Sequence, residues 1–432
     1  MRAFQELGEK AFVVLSLFFF TGAVSGLVSS DNALNSVREM LICVGHSLTW
    51  MFVVLRWKQV FAVVIKEKLL WILIATVCAS VIWSDFPMKT LEEILPLLRV
   101  TLFGIYFAAR FTIKEQLQLL SWAFGIAALL SLIVCVALPS YGVVGVGLIV
   151  GQEELVHSGA WRGVYNHKTF LGSIMSLGAL ILMFYGIDKY KYRYPWMIGA
   201  AFLITIFVLL RSTTIGALLI FIISLFLVLF FHLEQNKFGL FLMLFVSFLL
   251  VGSLIAMIIV SNAETIFGSF GKDATISGRT LIWPLLINKI QERPWLGYGY
   301  HTFWKEGWEG QVADIWRGLI AGFEPPHAHN GFLEICLDIG AIGLAIFVVW
   351  FVFSCLRSLV WLHKNKTVEG LAPIVLLIHI LLLSLTESYL MRGDIYWLIY
   401  VAMTLSMYRS CQYKRYLIYL DKPLSSYVSK SC

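Results

Sequence analysis

The sequence predicts an all-α membrane protein in which about twelve helices cross the bilayer. Three observations lead to this fold class: 59% of the 432 residues are hydrophobic, only 14% are charged, and the mean hydropathy is +0.82. Soluble domains carry roughly 25% charged residues. Apolar runs of about 20 residues, long enough for a helix to span the hydrocarbon core, recur along the chain. We therefore expect one polytopic membrane domain over residues 1–432.

The apolar runs give the predicted spans in order. They lie near residues 11–29, 38–55, 69–83, 94–110, 117–138, 169–187, 196–210, 213–231, 238–260, 331–355, 370–388 and 394–409. The second run contains His46 and the fourth contains Pro96 and Arg99, so these two have the weakest apolar pattern. The first run lacks a small-residue cleavage pattern at its end, which predicts a retained helix rather than a removed signal peptide.

Basic residues predict the orientation of these spans. Lys and Arg are concentrated in alternate loops and in the C-terminal tail, as in segments 56–68, 189–193 and 409–430. Because such residues favour the cytoplasmic side, we expect both termini in the cytoplasm. The net charge of +7 then indicates contact with anionic membrane lipids rather than nucleic-acid binding. The cysteines avoid the predicted outer loops, so no disulfide is expected.

Two long segments are expected on the outer side, residues 139–168 and residues 261–330, the second between the ninth and tenth spans. In the second, Ser277 is a candidate helix N-cap, and apolar residues recur after it at helical spacing. A further short helix is predicted near 312–320. Tryptophans are concentrated in this segment, and two interpretations stay open: an aromatic belt at the lipid headgroups, or stacking platforms for sugar rings.

Charged and titratable residues beside the spans are the candidate functional groups, because charge at membrane depth is costly and often functional. Arg211 ends a predicted span next to a Ser-Thr-Thr turn. Arg279 falls in the first turn after Ser277, where a bound anion would offset its unfavourable position against the helix dipole. His329, in the sequence "PPHAHNG" at the entry to a span, can act as a general base.

Other polar residues near the spans limit the chemistry. A zinc site formed by His327, His329 and Glu334 is an alternative, but no further His or Cys lies at metal-ligand spacing, so neither metal nor other cofactor is expected. Arg162 and Lys168, just before the sixth span, can bind phosphate oxygens. The chain has no Asp-x-Asp sequence to hold a metal-bound nucleotide sugar. A lipid-linked diphosphate donor therefore fits better.

Four stretches resemble one known group of proteins. "SGRTLIWPLLINKIQERPWLGYGY" followed by "PPHAHNGFLEICLDIGAIGL" is similar to the signature region of the O-antigen ligase and polymerase superfamily, and "WRGVYNHKTFLGSIMSLGAL" and "LLRSTTIGALL" are similar to its two upstream features. The resemblance covers most of residues 160–345. It implies a GT-C-like glycosyltransferase of the bacterial inner membrane, which transfers a glycan with inversion from undecaprenyl diphosphate to an acceptor hydroxyl on the outer, periplasmic face.

The resemblance also implies roles for individual residues. Arg279 and Arg211 would bind the leaving diphosphate, and His329 would be the general base. The weaker candidates for substrate contacts are Arg162, Lys168, His327, Asn330 and Glu387. For Glu387, an ion pair with Arg392 at a helix end is an equal alternative. The implied enzyme is independent of metal ions, since the arginines supply the positive charge.

The acceptor and one rival function stay open. A ligase would use lipid A-core and a polymerase another lipid-linked glycan, with a chain-length regulator as a further candidate partner; "RGVYNHK" and "HAHNGFLE" slightly favour exopolysaccharide polymerases. The rival is a flippase or other twelve-span transporter that forms no glycosidic bond. Transporters often have two similar halves, a pattern that this sequence does not display.

Overall fold

The structure, a computed structural model, describes residues 2–23, 45, 47–146, 157–187, 195–236, 279–305, 307–319, 324–365 and 367–420. The helices of six residues or more, numbered here in chain order, are α1 Arg2–Phe20, α2 Ser47–Leu55, α3 Trp57–Val64, α4 Lys68–Ala79, α5 Pro87–Arg110, α6 Ile113–Ala137, α7 Lys168–Gly186, α8 Pro195–Arg211, α9 Ile215–Asn236, α10 Arg279–Glu292, α11 Val312–Arg317, α12 Gly331–Lys364, α13 Val368–Leu383 and α14 Ile395–Leu420. These described segments are helical without any strand, which confirms the all-α prediction.

The number of membrane spans stays a prediction. Within the described ranges, four helices are long and apolar enough to cross a membrane: α6, α7, α9 and α12. A fifth span results if α2 and α3, which meet at an angle of 87°, are counted as one bent unit. Shorter apolar helices lie at Lys68–Ile82, Pro195–Arg211, Glu369–Leu383 and Ile395–Tyr408. The predicted span 238–260 lies outside the described residues.

Local sequence explains where several helices begin. Pro87 occupies the first turn of α5, where a missing N–H leaves no bond unmade. Thr112 and Glu115 form a reciprocal capping box at the start of α6. The Thr367 side chain caps α13 by accepting a hydrogen bond from the Gly370 N–H. These caps satisfy backbone donors that the helices themselves cannot satisfy.

The helices pack as two groups around a continuous apolar core. In one group α7 lies against α6, α8, α9 and α13; in the other α14 lies along α5, and α12 lies against α4. Gly104 on α5 lets α14 approach closely, because an added Cβ would come within 3.2 Å of the Leu398 carbonyl oxygen. Residues of α14 such as Trp397 and Tyr400 are almost fully buried. The last helix is therefore part of the bundle's interior.

A second, smaller core sits at the end of the bundle where α12 begins. Ile282 and Leu286 of α10 pack there with Val312 of α11 and with Leu337 of α12. Trp283 donates its indole N–H to the Ala328 carbonyl at 3.0 Å. The segment preceding α12 is thus fixed onto the first turns of that helix, which is what positions the candidate site.

Helix α12 is bent at Ile339 and Gly340 by the chain that follows α10. Gly340 has φ +67° and ψ −172°, and a Cβ at this position would overlap the backbone of Trp295. The inserted chain satisfies the backbone groups that the bend exposes: Tyr298 N–H donates to the Leu337 carbonyl at 2.7 Å, and Ala341 N–H donates to the Pro294 carbonyl at 2.8 Å. The part of α12 before Ile339 therefore forms a separate helical arm.

Candidate active site

The turn formed by Pro325–Asn330 leads directly into this arm. Asn330 caps α12: its side-chain oxygen accepts hydrogen bonds from the Phe332 and Leu333 N–H groups at 2.9 and 3.1 Å. Gly331 N–H donates to the Ser384 carbonyl at 2.7 Å, which joins the turn to the end of α13. His329 has φ +50°, a left-handed conformation that is uncommon outside glycine. The turn is thus held in one shape from both sides.

Glu387 joins three of the candidate residues. It lies in the loop after α13, because that helix ends at Leu383 rather than at the predicted residue 388. One carboxylate oxygen, Oε1, accepts a hydrogen bond from Arg279 Nη2 at 2.9 Å. The other, Oε2, lies 3.1 Å from His329 Nδ1 and 3.7 Å from His327 Nε2. The Glu387 side chain is only 9% exposed, so these contacts act where water screens them weakly.

The charge on Glu387 determines the tautomer of His329. Burial raises the pKa of Glu387, but the hydrogen bond with His329 and the nearby positive charge, including that of Arg279, outweigh burial, so the pKa lies below its usual range. An ionised carboxylate only accepts hydrogen bonds, so His329 Nδ1 must carry the proton that lies between them. In the neutral ring the lone pair then sits on Nε2. His329 Nε2 has no partner among the described residues.

His327 has the opposite arrangement. Its Nδ1 accepts a hydrogen bond from the His329 backbone N–H at 3.2 Å, which places the ring proton on Nε2, facing Glu387. The two imidazole centroids are 4.0 Å apart. Burial, together with the charge of His329, lowers the pKa of His327 to about 4, so this ring is neutral at pH 7. The free basic nitrogen of the pair therefore belongs to His329.

The same three residues have the spacing of a metal site. One ligand atom from each of His327, His329 and Glu387 can be chosen so that all lie within 4.8 Å of one another. Two imidazoles and a carboxylate are donors that Zn²⁺ accepts. However, both ring nitrogens that face Glu387 carry protons in the hydrogen-bond pattern described above. That pattern explains their closeness without an ion. Glu334, the third ligand of the zinc alternative, is bound elsewhere.

A buried ion cluster, whose members were not among the predicted site residues, lies beside the site. Arg392 pairs with Glu334 at 2.7 Å and with Asp338 at 2.9 Å, two carboxylates one turn apart on the arm of α12. The alternative pairing of Glu387 with Arg392 is therefore wrong, since Glu387 pairs with Arg279. Glu334 also accepts the Ala328 N–H at 2.8 Å, between the two site histidines. The sequence feature that could have indicated this cluster is a pair of acidic residues four positions apart at the start of an apolar helix.

Arg211, Arg162 and Lys168 lie in the segments around the start of α7. The exposed Arg211 guanidinium lies 5.1 Å from the centroid of the Trp161 ring. Arg162 Nε donates to the Tyr141 carbonyl at 2.7 Å. Lys168 begins α7, and its carbonyl accepts a hydrogen bond from Thr214 at 3.1 Å. These contacts join the segment before α7 to the turn after α8.

An aromatic contact connects this group to the Glu387 loop. Phe170, in the first turn of α7, lies 6.0 Å from Tyr389, measured between ring centroids. Lys168 and Glu387 are each two residues away from one member of this pair. The start of α7 therefore lies next to the loop that carries Glu387.

Comparisons with known proteins agree with the sequence resemblance. Residues 198–348 match the family described as O-Antigen ligase. This range contains Arg211, Arg279 and both histidines but ends before Glu387. "Exopolysaccharide production protein ExoQ" from Rhizobium meliloti (strain 1021) is 36% identical over 96 residues, 21% of each chain. "Putative polysaccharide ligase RP358" from Rickettsia prowazekii (strain Madrid E) is 39% identical over 71 residues, 16% of this chain and 17% of the relative.

The matched segments thus span about a fifth of the length of these relatives. They fall within the same superfamily as the four stretches quoted from the sequence, and the apolar helices agree with a membrane protein. The resemblance to the O-antigen ligase superfamily is therefore confirmed over residues 198–348, the part of the chain that matches this family.

Proposed function

We propose that this protein transfers a glycan, with inversion, from undecaprenyl diphosphate to an acceptor hydroxyl at the periplasmic face of the bacterial inner membrane. The superfamily and the names of the relatives support polysaccharide ligation or polymerisation in general. The observation that carries the specific chemistry is Glu387, which binds His329 through one carboxylate oxygen and Arg279 through the other. One anion thereby sets the position of both a base and a cation.

In this mechanism His329 Nε2 removes the proton from the acceptor hydroxyl. The hydroxyl oxygen attacks the anomeric carbon from the face opposite the diphosphate, and the carbon–oxygen bond to the diphosphate breaks with its electron pair. The proton ends on His329, where Glu387 stabilises the imidazolium that forms. A positioned general base contributes typically 10²–10⁴-fold to the rate. His327 remains a neutral neighbour that fixes the turn through its contact with the His329 backbone.

Arg279 and Arg211 stabilise the negative charge that develops on the leaving diphosphate. Arg279 uses Nη2 for Glu387 and for the Thr386 carbonyl, whereas its Nη1 has no partner among the described residues. Arg211 is exposed and is held against Trp161. Because guanidinium groups supply the positive charge, the reaction is proposed to need no metal ion.

The remaining candidates contact substrate in this proposal. Arg162 and Lys168 lie near the donor, and Asn330 presents its side-chain amide next to His329 while its oxygen caps α12. The acceptor is either lipid A-core or a second lipid-linked glycan. The relative whose name refers to exopolysaccharide production favours the second, a polymerase, for which a chain-length regulator is a candidate partner.

Reconstitution tests the proposal. The donor is the lipid-linked glycan that accumulates in cells lacking this gene, and the acceptors are the same glycan lipid and the lipid A-core of those cells, offered separately. We expect purified protein in liposomes to form a glycosidic bond and release undecaprenyl diphosphate, with the rate unchanged by EDTA. Movement of the donor across the bilayer without bond formation would contradict the proposal and favour the transporter.

Specific variants separate the roles. Arg279→Ala is expected to reduce transfer by at least 10²-fold, the loss found when one group that stabilises developing charge is removed. Arg317→Ala is the matched control, because Arg317 is exposed and pairs with Asp314 in the same segment of the chain. Equal rates for the two variants would remove Arg279 from the mechanism.

A further inference from the structure

A second histidine–carboxylate pair lies outside the machinery proposed above. His301 Nδ1 is 2.7 Å from Glu93 Oε2, and the Lys305 ammonium is 3.3 Å from the other oxygen of Glu93. Glu93 comes from α5, whereas His301 and Lys305 come from the chain between α10 and α11. Roughly a quarter of each of the Glu93 and His301 side chains is exposed, at 25% and 24%. The pair therefore combines a fixed position with access from outside.

The backbone of His301 is held in an unfavourable conformation. Its φ is +54°, and residues held in this left-handed conformation are strained and tend to occur at functional sites. Neighbouring contacts enforce it: the His301 N–H donates to Asp338 Oδ1 at 2.9 Å, and the preceding Tyr300 hydroxyl donates to the Met391 carbonyl. The next residue, Thr302, bonds to Thr90 of α5. Strain at His301 matches that at His329.

The two histidine–carboxylate pairs share a buried connection. Asp338, which binds His301, and Glu334, which binds the turn of His329, are one turn apart on α12, with Cβ atoms about 5–6 Å apart. Arg392 joins both carboxylates. Glu334 and Arg392 also act electrostatically on both His301 and His327. The second pair thus lies beside the first, along the same helical arm.

His301 is suited to accept a hydrogen bond rather than to bind an anion. Burial, together with the nearby charge of Arg392, lowers its pKa, which favours the neutral ring. Its Nδ1 proton points to Glu93, which leaves the lone pair on Nε2. Nε2 has no partner among the described residues. A hydroxyl group is the natural donor to such a nitrogen.

We propose that His301 is an acceptor-binding residue, whose Nε2 accepts a hydrogen bond from a hydroxyl group of the incoming saccharide while Glu93 holds the ring. This inference rests on the proposed glycosyl transfer, since it assigns the acceptor side of that reaction. The Lys305 ammonium, beside Glu93, offers a further polar group to the same sugar. The arm of α12 connects this position to the turn that carries His329.

Free glycan provides a probe that cannot serve as donor. Mild acid releases the glycan from the accumulated diphosphate lipid, and its binding to the purified full-length protein is followed by intrinsic tryptophan fluorescence. His301→Ala is expected to weaken this binding about tenfold, the effect of losing one hydrogen bond worth roughly 1.4 kcal/mol. Glu93→Gln should give a similar loss because the amide no longer fixes the tautomer. Glu92→Gln, an exposed neighbour on α5, is the matched control and should bind as wild type.

Kinetics then separate binding from a structural role. His301→Ala should raise the KM for free glycan as acceptor with the KM for donor unchanged. His301→Asn, which tolerates a positive φ, guards against misfolding of the alanine variant. Unchanged glycan binding in folded His301→Ala protein, no binding by wild type, or equal effects on donor and acceptor would each overturn the proposal. Failure of the proposed base gives a different result. If His329→Ala protein transfers normally while His301→Ala protein loses glycan binding, His329 is not the base, but the role of His301 in glycan binding still holds.

Discussion

Glu387→Gln tests the geometry of the site most specifically. The substitution keeps the size of the side chain and removes its charge. Two interactions change at once: the hydrogen bond with His329 Nδ1 at 3.1 Å and the ion pair with Arg279 at 2.9 Å. The amide can present either its oxygen or its NH₂ group to His329, so the tautomer that leaves Nε2 basic is no longer imposed.

The expected magnitude follows from these contacts. Hydrogen bonds to charged groups contribute about 1.5–3 kcal/mol, and residues in one network do not contribute additively. A loss of roughly 2–4 kcal/mol in the transition state corresponds to a decrease in kcat of about 30- to 1,000-fold. The free energy of unfolding should change less, because the neutral amide in the Thr386–Glu387 loop can still form hydrogen bonds with the groups around it.

The assay is the initial rate of transfer by reconstituted protein at saturating donor and acceptor. Glu324→Gln serves as the control, since Glu324 is an exposed carboxylate of the same turn region that bonds to Trp308. We expect the control to retain the wild-type rate. Folded Glu387→Gln protein that retained more than about half of the wild-type kcat would refute the idea that Glu387 orients the base.

Three further predictions concern stability. Thermal stability in detergent should fall as the pH is lowered from 6.5 towards 4, because the unfolded chain takes up a proton at His327 whereas the folded site, where the pKa is about 4, does not. His327→Gln should flatten this pH dependence, and an unchanged slope in that variant would contradict the explanation. Gly340→Ala should lower the Tm sharply or abolish folded yield, since φ is +67° and the methyl group meets Trp295, whereas Gly216→Ala, in open space, should not. Arg392→Gln should lower the free energy of unfolding by about 3–5 kcal/mol, because it leaves two buried carboxylates without their partner. A decrease of less than about 1 kcal/mol, measured by urea unfolding, would argue against the buried cluster.

The sequence was sufficient where the information is local. Hydropathy alone predicted the all-helical membrane class, and the pattern before Gly331 indicated that a polar turn leads into a helix. Asn330 caps α12 as such residues do. The same local information could not give the number of spans, because helices such as α4 and α13 are shorter than the apolar runs that predicted them.

Contacts between segments that are distant in the chain could not be predicted from patterns in the sequence. Glu387 lies 58 residues after His329, and its alternative partner Arg392 was only five positions away, so proximity in sequence suggested the wrong ion pair. The bend at Gly340 depends on a backbone insertion from residues 294–299, which no periodicity reveals. His301 lacked any motif, and its importance emerged only from Glu93 and Asp338, which come from two other helices.

The most direct test of the central claim is the transfer rate of His329→Ala protein. His363→Ala, near the other end of α12, is the matched control with an exposed histidine. We expect folded His329→Ala protein to bind the donor but to transfer at least 10²-fold more slowly, as for loss of a general base, while the control keeps the wild-type rate. Transfer by His329→Ala at the rate of the control would contradict the assignment of His329 as the base.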